Sequence, residues 1–214
     1  MKNQKGFTLV EMAIVLVIIG LLLGGVLKGQ ELIENSRIKN AMNDIRGTQA
    51  ALNAYMDRYH QIPGDDNDPN LTNRGGAWTG LTLGDGNGAL SRNNPFAGDA
   101  NETVFFWQHL RAGGFVSGSP KTTGLAALPK NAYGGLIGVT GIGVFGMPAN
   151  GKYVCLSGIT GKAARAIDLA MDDGLAKSGT MRAAALASTN TGPGTAAPTD
   201  EYTDEPMFTI CTTM

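Results

Sequence analysis

Two cysteines and two histidines in 214 residues leave little material for a metal cage or a nucleophilic centre. Net charge is just as sparse: 17 basic against 18 acidic side chains give −1, so no electrostatic footprint for nucleic acid is present and none is expected as a partner. Charged residues make up only 16% of the chain and apolar ones 43%, which excludes wholesale disorder and supplies a packed core. Proline is missing before Pro63, and no glycine-rich phosphate loop ends in lysine. The 31 glycines follow no G-X-Y period, so collagen is excluded and a turn-rich domain favoured. His60 and His109 lie far apart and accompany no nucleophile, and both read as surface or helix-end residues. No catalytic residues are assigned, and the chain is not expected to be an enzyme.

What the chain does have is one long apolar run. Met12 to Leu27 carries no charge, and from Phe7 onward Glu11 is the only ionisable residue in 21. As helix those 21 residues extend roughly 31 Å, about the hydrocarbon thickness of a bilayer. Lys2 and Lys5 precede the run while Lys28, Glu31 and Glu34 follow it, which puts the N-terminus on the cytoplasmic side. A secretory signal is disfavoured, because Val26 to Gln30 offers no small-x-small cleavage site. A plain anchor must bear Glu11, a carboxylate that costs a few kcal/mol in an apolar helix unless it is paired or snorkels to the interface.

The residues before the run are Lys5-Gly6-Phe7-Thr8-Leu9-Val10-Glu11. A short basic leader ending in Gly, then Phe, then Glu at the fifth position of the remaining chain, closely resembles the prepilin signal of type IV pilins and type II secretion pseudopilins. The resemblance covers about the first 30 residues. It implies cleavage between Gly6 and Phe7 by a prepilin peptidase, methylation of the new Phe7 amine, and retention of the apolar helix. It also implies that Glu11 of one subunit meets the Phe7 amine of another, so that Glu11 directs assembly. Gly20 and Gly24 form a small-xxx-small face for close helix packing, or simply reflect the glycine content of membrane helices.

Beyond Lys28, Ile38, Met42, Ile45, Leu52, Met56 and Tyr59 recur at helical spacing, so one helix is expected from about Phe7 to His60, stopped by Pro63-Gly64. The region Ala51-x3-Tyr55-x3-Tyr59-x3-Pro63-Gly64-Asp65 extends the likeness to pilins more weakly. The expected fold is α+β and pilin-like: a long N-terminal helix, half membrane-spanning and half amphipathic, and a globular head with an antiparallel sheet packed on it. The parts are a leader (1–6), a transmembrane or filament-core helix (7–30), the amphipathic half of that helix (31–62) and the head (63–214). In the head, Asn101 caps a helix to Ala112 closed by Gly113-Gly114, with Val104, Phe105, Phe106, Trp107 and Leu110 in the core. Strands are expected at 133–146, its glycines close against the long helix, and at 151–157, 179–186 and 207–212. Thr160 caps a second helix with Ala163, Ile167, Ala170 and Met171 on one face, stopped at Asp172-Asp173-Gly174, and 188–198 reads as a mobile loop.

Cys155 and Cys211 lie 56 positions apart. They are either two buried thiols or a disulfide, and pilins commonly carry a C-terminal disulfide, so the resemblance favours the bond. Asp66, Asp68 and Asn70 begin like a calcium loop, but Leu71 and Ala77 occupy the places of its glycine and closing glutamate, so the EF-hand pattern fails. Because type II secretion major pseudopilins bind calcium in their heads, the resemblance still implies a candidate calcium set in Asp65, Asp66, Asp68, Asp85 and Asn87, with Asp99 nearby; such residues also make ordinary Asx turns. No other cofactor is expected. The function read from the sequence is a major or minor subunit of a type IV pilus-like filament. Its partners would be identical or related pilins, the peptidase, membrane lipid, and indirectly a platform protein and cytoplasmic ATPase. The subunit would wait in the bacterial inner membrane, head in the periplasm. A secretion pseudopilin, and a single-pass anchored periplasmic binding or enzymatic protein, are the alternatives.

Overall fold

A computed structural model describes residues 8–91, 94–149, 151–186, 188–195, 197–198 and 201–214. Two compact units, residues 1–37 and 38–214, share the first helix, α1 (Leu9–Tyr59). In the first unit every described side chain from Thr8 to Lys28 is exposed. A helical segment this apolar and this exposed satisfies its backbone internally and leaves its side chains to another apolar medium.

In the second unit α1 buries Ala41, Ile45, Thr48, Ala51, Leu52 and Tyr55. The centre of the buried face is therefore shifted from the expected stripe. Ile45 and Leu52 are in it, whereas Ile38, Met42, Met56 and Tyr59 flank it half-buried. Small Ala41 and Ala51 allow close approach, and Thr48 is accepted because its hydroxyl donates to the Asp44 carbonyl at 2.8 Å. The helix ends through His60, which takes a left-handed φ of 56° while its N–H still reaches the Met56 carbonyl. Gly64 then passes so close to the next helix that a Cβ would stand 2.3 Å from the Glu102 carbonyl oxygen.

That helix, α2 (Glu102–Ala112), begins with Asn101 accepting from the Thr103 N–H. It ends in a Schellman turn: Phe115 N–H bonds Leu110 carbonyl and Gly114 N–H bonds Arg111 carbonyl. Its predicted core residues are buried except Phe105, which is half-exposed. Four strands follow: β1 (Ile137–Thr140), β2 (Tyr153–Ile159), β3 (Met181–Ala185) and β4 (Phe208–Thr213). They form one antiparallel sheet in the order β1-β2-β4-β3. β4 thus inserts between β2 and β3, which are joined by α3 (Gly161–Met171). The expectation of a strand over 133–146 contracts to β1, because Gly141 leaves the sheet and donates to the Leu90 carbonyl. The glycines there serve the loop before α2: a Cβ on Gly138 would stand 2.2 Å from the Pro95 carbonyl oxygen, and one on Gly141 2.4 Å from the Leu90 nitrogen. On α3 the Thr160 cap holds, but the buried face is Ala163, Ala164, Ile167 and Asp168; Ala170 is exposed and Met171 half-exposed. Much of the loop expected at 188–198 is described as turn and irregular chain, with Ala187 and Ala196 outside the described residues.

Candidate functional site

At the start of α1, Thr8 and Glu11 form a capping box. The Glu11 N–H donates to Thr8 Oγ1 at 3.3 Å, while Glu11 Oε2 accepts from the Thr8 N–H at 2.8 Å and from its hydroxyl at 2.7 Å. Two N–H groups that a helix start leaves unpaired are satisfied reciprocally, and the carboxylate of an otherwise apolar segment is held at the helix end. The pattern Thr-x-x-Glu that makes this box is legible in the sequence as a helix-start signature. Gly6 and Phe7, the residues of the expected cleavage, lie outside the described residues. Gly20 and Gly24 sit on α1 with no atom within 4 Å of where a Cβ would stand, so within one subunit neither is needed for packing.

In the head, the acidic residues picked out as calcium ligands divide. Asp66 is buried and accepts from the Tyr55 hydroxyl at 2.6 Å and from Arg74 Nη1 at 2.6 Å. Asp68 takes Arg74 Nη2 at 2.8 Å. A guanidinium therefore bridges the two, and among the described residues neither joins a metal-like cluster. Asp65 points the other way: its carboxylate collects the N–H groups of Gly86, Asn87 and Gly88. Asn87 bonds Asp85 and Ser91 through its side-chain amide. Asp65, Asp85 and Glu102 each bring one carboxylate oxygen within 4.8 Å of the others, one of two such acidic clusters among the described residues. Burial, together with the nearby Asp85 and Glu102, raises the Asp65 carboxyl against the lowering effect of its N–H donors. Glu102 was absent from the sequence-based set because its proximity arises only when α2 folds against the Asp-rich loop.

His109 stands in the last turn of α2, as a helix-end residue is expected to, but it is fully buried rather than at the surface. Its Nδ1 accepts from the Gly64 N–H at 3.0 Å and its Nε2 faces the Thr82 carbonyl at 2.9 Å, so the neutral Nε2–H tautomer satisfies both. Burial pushes it down to about 4, against some support from Thr82 and Asp66. It ties the Pro63-Gly64 turn to the loop at Thr82 and faces no nucleophile. The other acidic group, Asp168, Asp172 and Asp173, caps and turns the chain after α3: Asp168 accepts from Tyr202 at 2.6 Å, Asp172 from Met181 N–H, and Asp173 from Leu175 N–H and Ser178. Burial raises both the Asp168 carboxyl and the Tyr202 hydroxyl.

Cys155 and Cys211 are directly opposite in the β2–β4 register and are joined as a disulfide. The alternative of two buried thiols is thereby excluded.

With this geometry in view, the comparisons with known proteins bear on the N-terminal segment. Residues 1–27 match the family described as the prokaryotic N-terminal methylation motif. No curated protein matches the chain. Among solved structures, the major type IV pilin PilA1 from Clostridium difficile is 10% identical, with 85% of this chain and 96% of that one covered at a TM-score of 0.40. TcpA, a type IV pilin from Vibrio cholerae El Tor biotype, is 10% identical, with 84% of this chain and 99% of that one covered at a TM-score of 0.42. The chain carries a prepilin-type N-terminal methylation motif. Its parts run in order as a long helix with an apolar first half and then a head with an antiparallel four-stranded sheet.

Proposed function

We propose that this chain is the structural subunit of a type IV pilus-like filament, cut between Gly6 and Phe7, methylated on Phe7 and assembled through the first half of α1. The carrying observation is that a methylation motif over residues 1–27 runs straight into a helix whose first half is long and apolar enough to cross a membrane and is wholly exposed. Before assembly that surface is solvated by lipid; afterwards it packs on copies of itself. Exchanging one apolar surround for another gives little net hydrophobic gain, so packing at Gly20 and Gly24 and pairing at Glu11 select the assembled state. In the capping box Thr8 engages one carboxylate oxygen of Glu11, and we assign the other to the Phe7 amine of a neighbouring subunit. We assign the filament to a pilus rather than a secretion pseudopilus on the disulfide that joins β2 to β4. The peptidase, an inner-membrane platform and a cytoplasmic ATPase are the partners this function requires. If the head takes calcium, Asp65, Asp85 and Glu102 supply the carboxylates.

Glu11→Ala tests the pairing. Processing of the leader should be largely unchanged while filament number falls at least tenfold, counted by electron microscopy beside an immunoblot for the shortened chain. Wild-type filament numbers in that variant would remove Glu11 from assembly.

A further inference from the structure

The stretch from Ile62 to Trp78 straps the end of α1, and one side chain closes it. Arg74 reaches Asp66 at 2.6 Å and Asp68 at 2.8 Å, while its guanidinium carbon lies 4.4 Å from the Tyr59 ring centroid and 5.2 Å from that of Trp78. The Tyr55 hydroxyl completes the cluster, donating to Asp66 and lying 3.3 Å from Arg74 Nη1. Asp66 has no side-chain exposure and Arg74 only 14%, so this ion pair is shielded from solvent as surface pairs are not. Leu71, fully buried, anchors the strap midway. Two carboxylates, a phenol oxygen and two aromatic faces around one positive group make a cation site. The cation in it belongs to the chain.

We propose that Arg74 is a built-in cation that locks the 62–78 strap onto the last turns of α1, doing here what calcium does in loops that begin with the same Asp-x-Asp-x-Asn spacing. Burial works against the charge, and Asp66 and Asp68 outweigh it, holding the guanidinium above its ordinary range. The planar fork suits this position because it engages two carboxylates at once while its central carbon stays within reach of both the Tyr59 and Trp78 rings; a lysine ammonium offers no such fork. Two consequences follow. The strap of the natural protein stays shut without a metal. Removing the guanidinium leaves Asp66 and Asp68 as an unpaired acidic pair that takes up a divalent cation from outside.

Thermal melting of the full chain in detergent micelles, with calcium at millimolar concentration or with chelator, tests this. Arg74→Ala should melt roughly 10 °C below wild type, since one partner of a buried pair has been removed. Calcium should restore a substantial part of that loss, and the double variant Arg74→Ala, Asp68→Asn should lose the restoration. The double variant separates this pair from Asp65, Asp85 and Glu102, which it leaves untouched. Arg74→Lys keeps a cation in place and guards against a variant that does not fold: it should melt below wild type and gain no more from calcium than wild type does. Arg74→Ala melting with wild type, Arg74→Ala gaining no more from calcium than wild type, or a calcium gain in the Lys variant beyond that of wild type would each overturn the proposal.

Discussion

Asp65 and Asp66 are adjacent, buried and chemically identical, yet one collects backbone N–H groups from the 86–88 turn and the other a guanidinium and a phenol. Which partner each takes depends on where the chain returns, and spacing along the chain carries no record of that. His109 gives the residue scale its sharpest expectation. Its ordinary value is 6.5 and the folded value about 4, so between those limits the unfolded chain binds the extra proton. Stability from the neutral imidazole is therefore complete above pH 6.5 and is lost as pH falls to about 4, by about 3 kcal/mol in all. Denaturant unfolding of wild type and His109→Gln across that range should show the one-proton slope in wild type and its absence in the variant. Equal slopes would place the acid sensitivity elsewhere.

Elements were more legible than their faces. Local signals placed α1, the Asn101 and Thr160 caps and the glycine stop after α2 to within a residue or two, because a helix end is decided by groups three or four positions apart. The buried stripe of α1 was displaced because Ala41, Thr48 and Ala51 carry little or no hydrophobic signal and owe their burial to size. β1 was overextended because Gly138 and Gly141 read as strand glycines, whereas their role is to admit the loop at Leu90 and Pro95. The order of strands was not legible at all: β4, last in the chain, closes the gap between β2 and β3. The disulfide clamps that late strand in register with β2. Replacing Cys155 and Cys211 by serine should cost about 4 kcal/mol, the loop entropy returned to the unfolded chain, and lower the melting temperature by roughly 10 °C. An unchanged melting temperature would mean that the sheet alone holds β4.

At the scale of the whole molecule, one helix serves two surroundings. From Ile38 onward α1 gives a narrow face to the core of the second unit, whereas up to Leu27 its apolar side chains are exposed all round. That first half is stable as helix in lipid or among copies of itself, and it carries the methylation motif over residues 1–27. The reading of Glu11 and the leader rests on information that is local in the chain, whereas the partners of Arg74 and Glu102 were illegible because only folding brings them together. N-terminal sequencing with intact mass on the chain recovered from its cell envelope tests the central claim most directly. The account predicts a chain beginning at a methylated Phe7, with Met1 to Gly6 removed. A chain that still begins at Met1 would contradict it and leave α1 as an ordinary anchor.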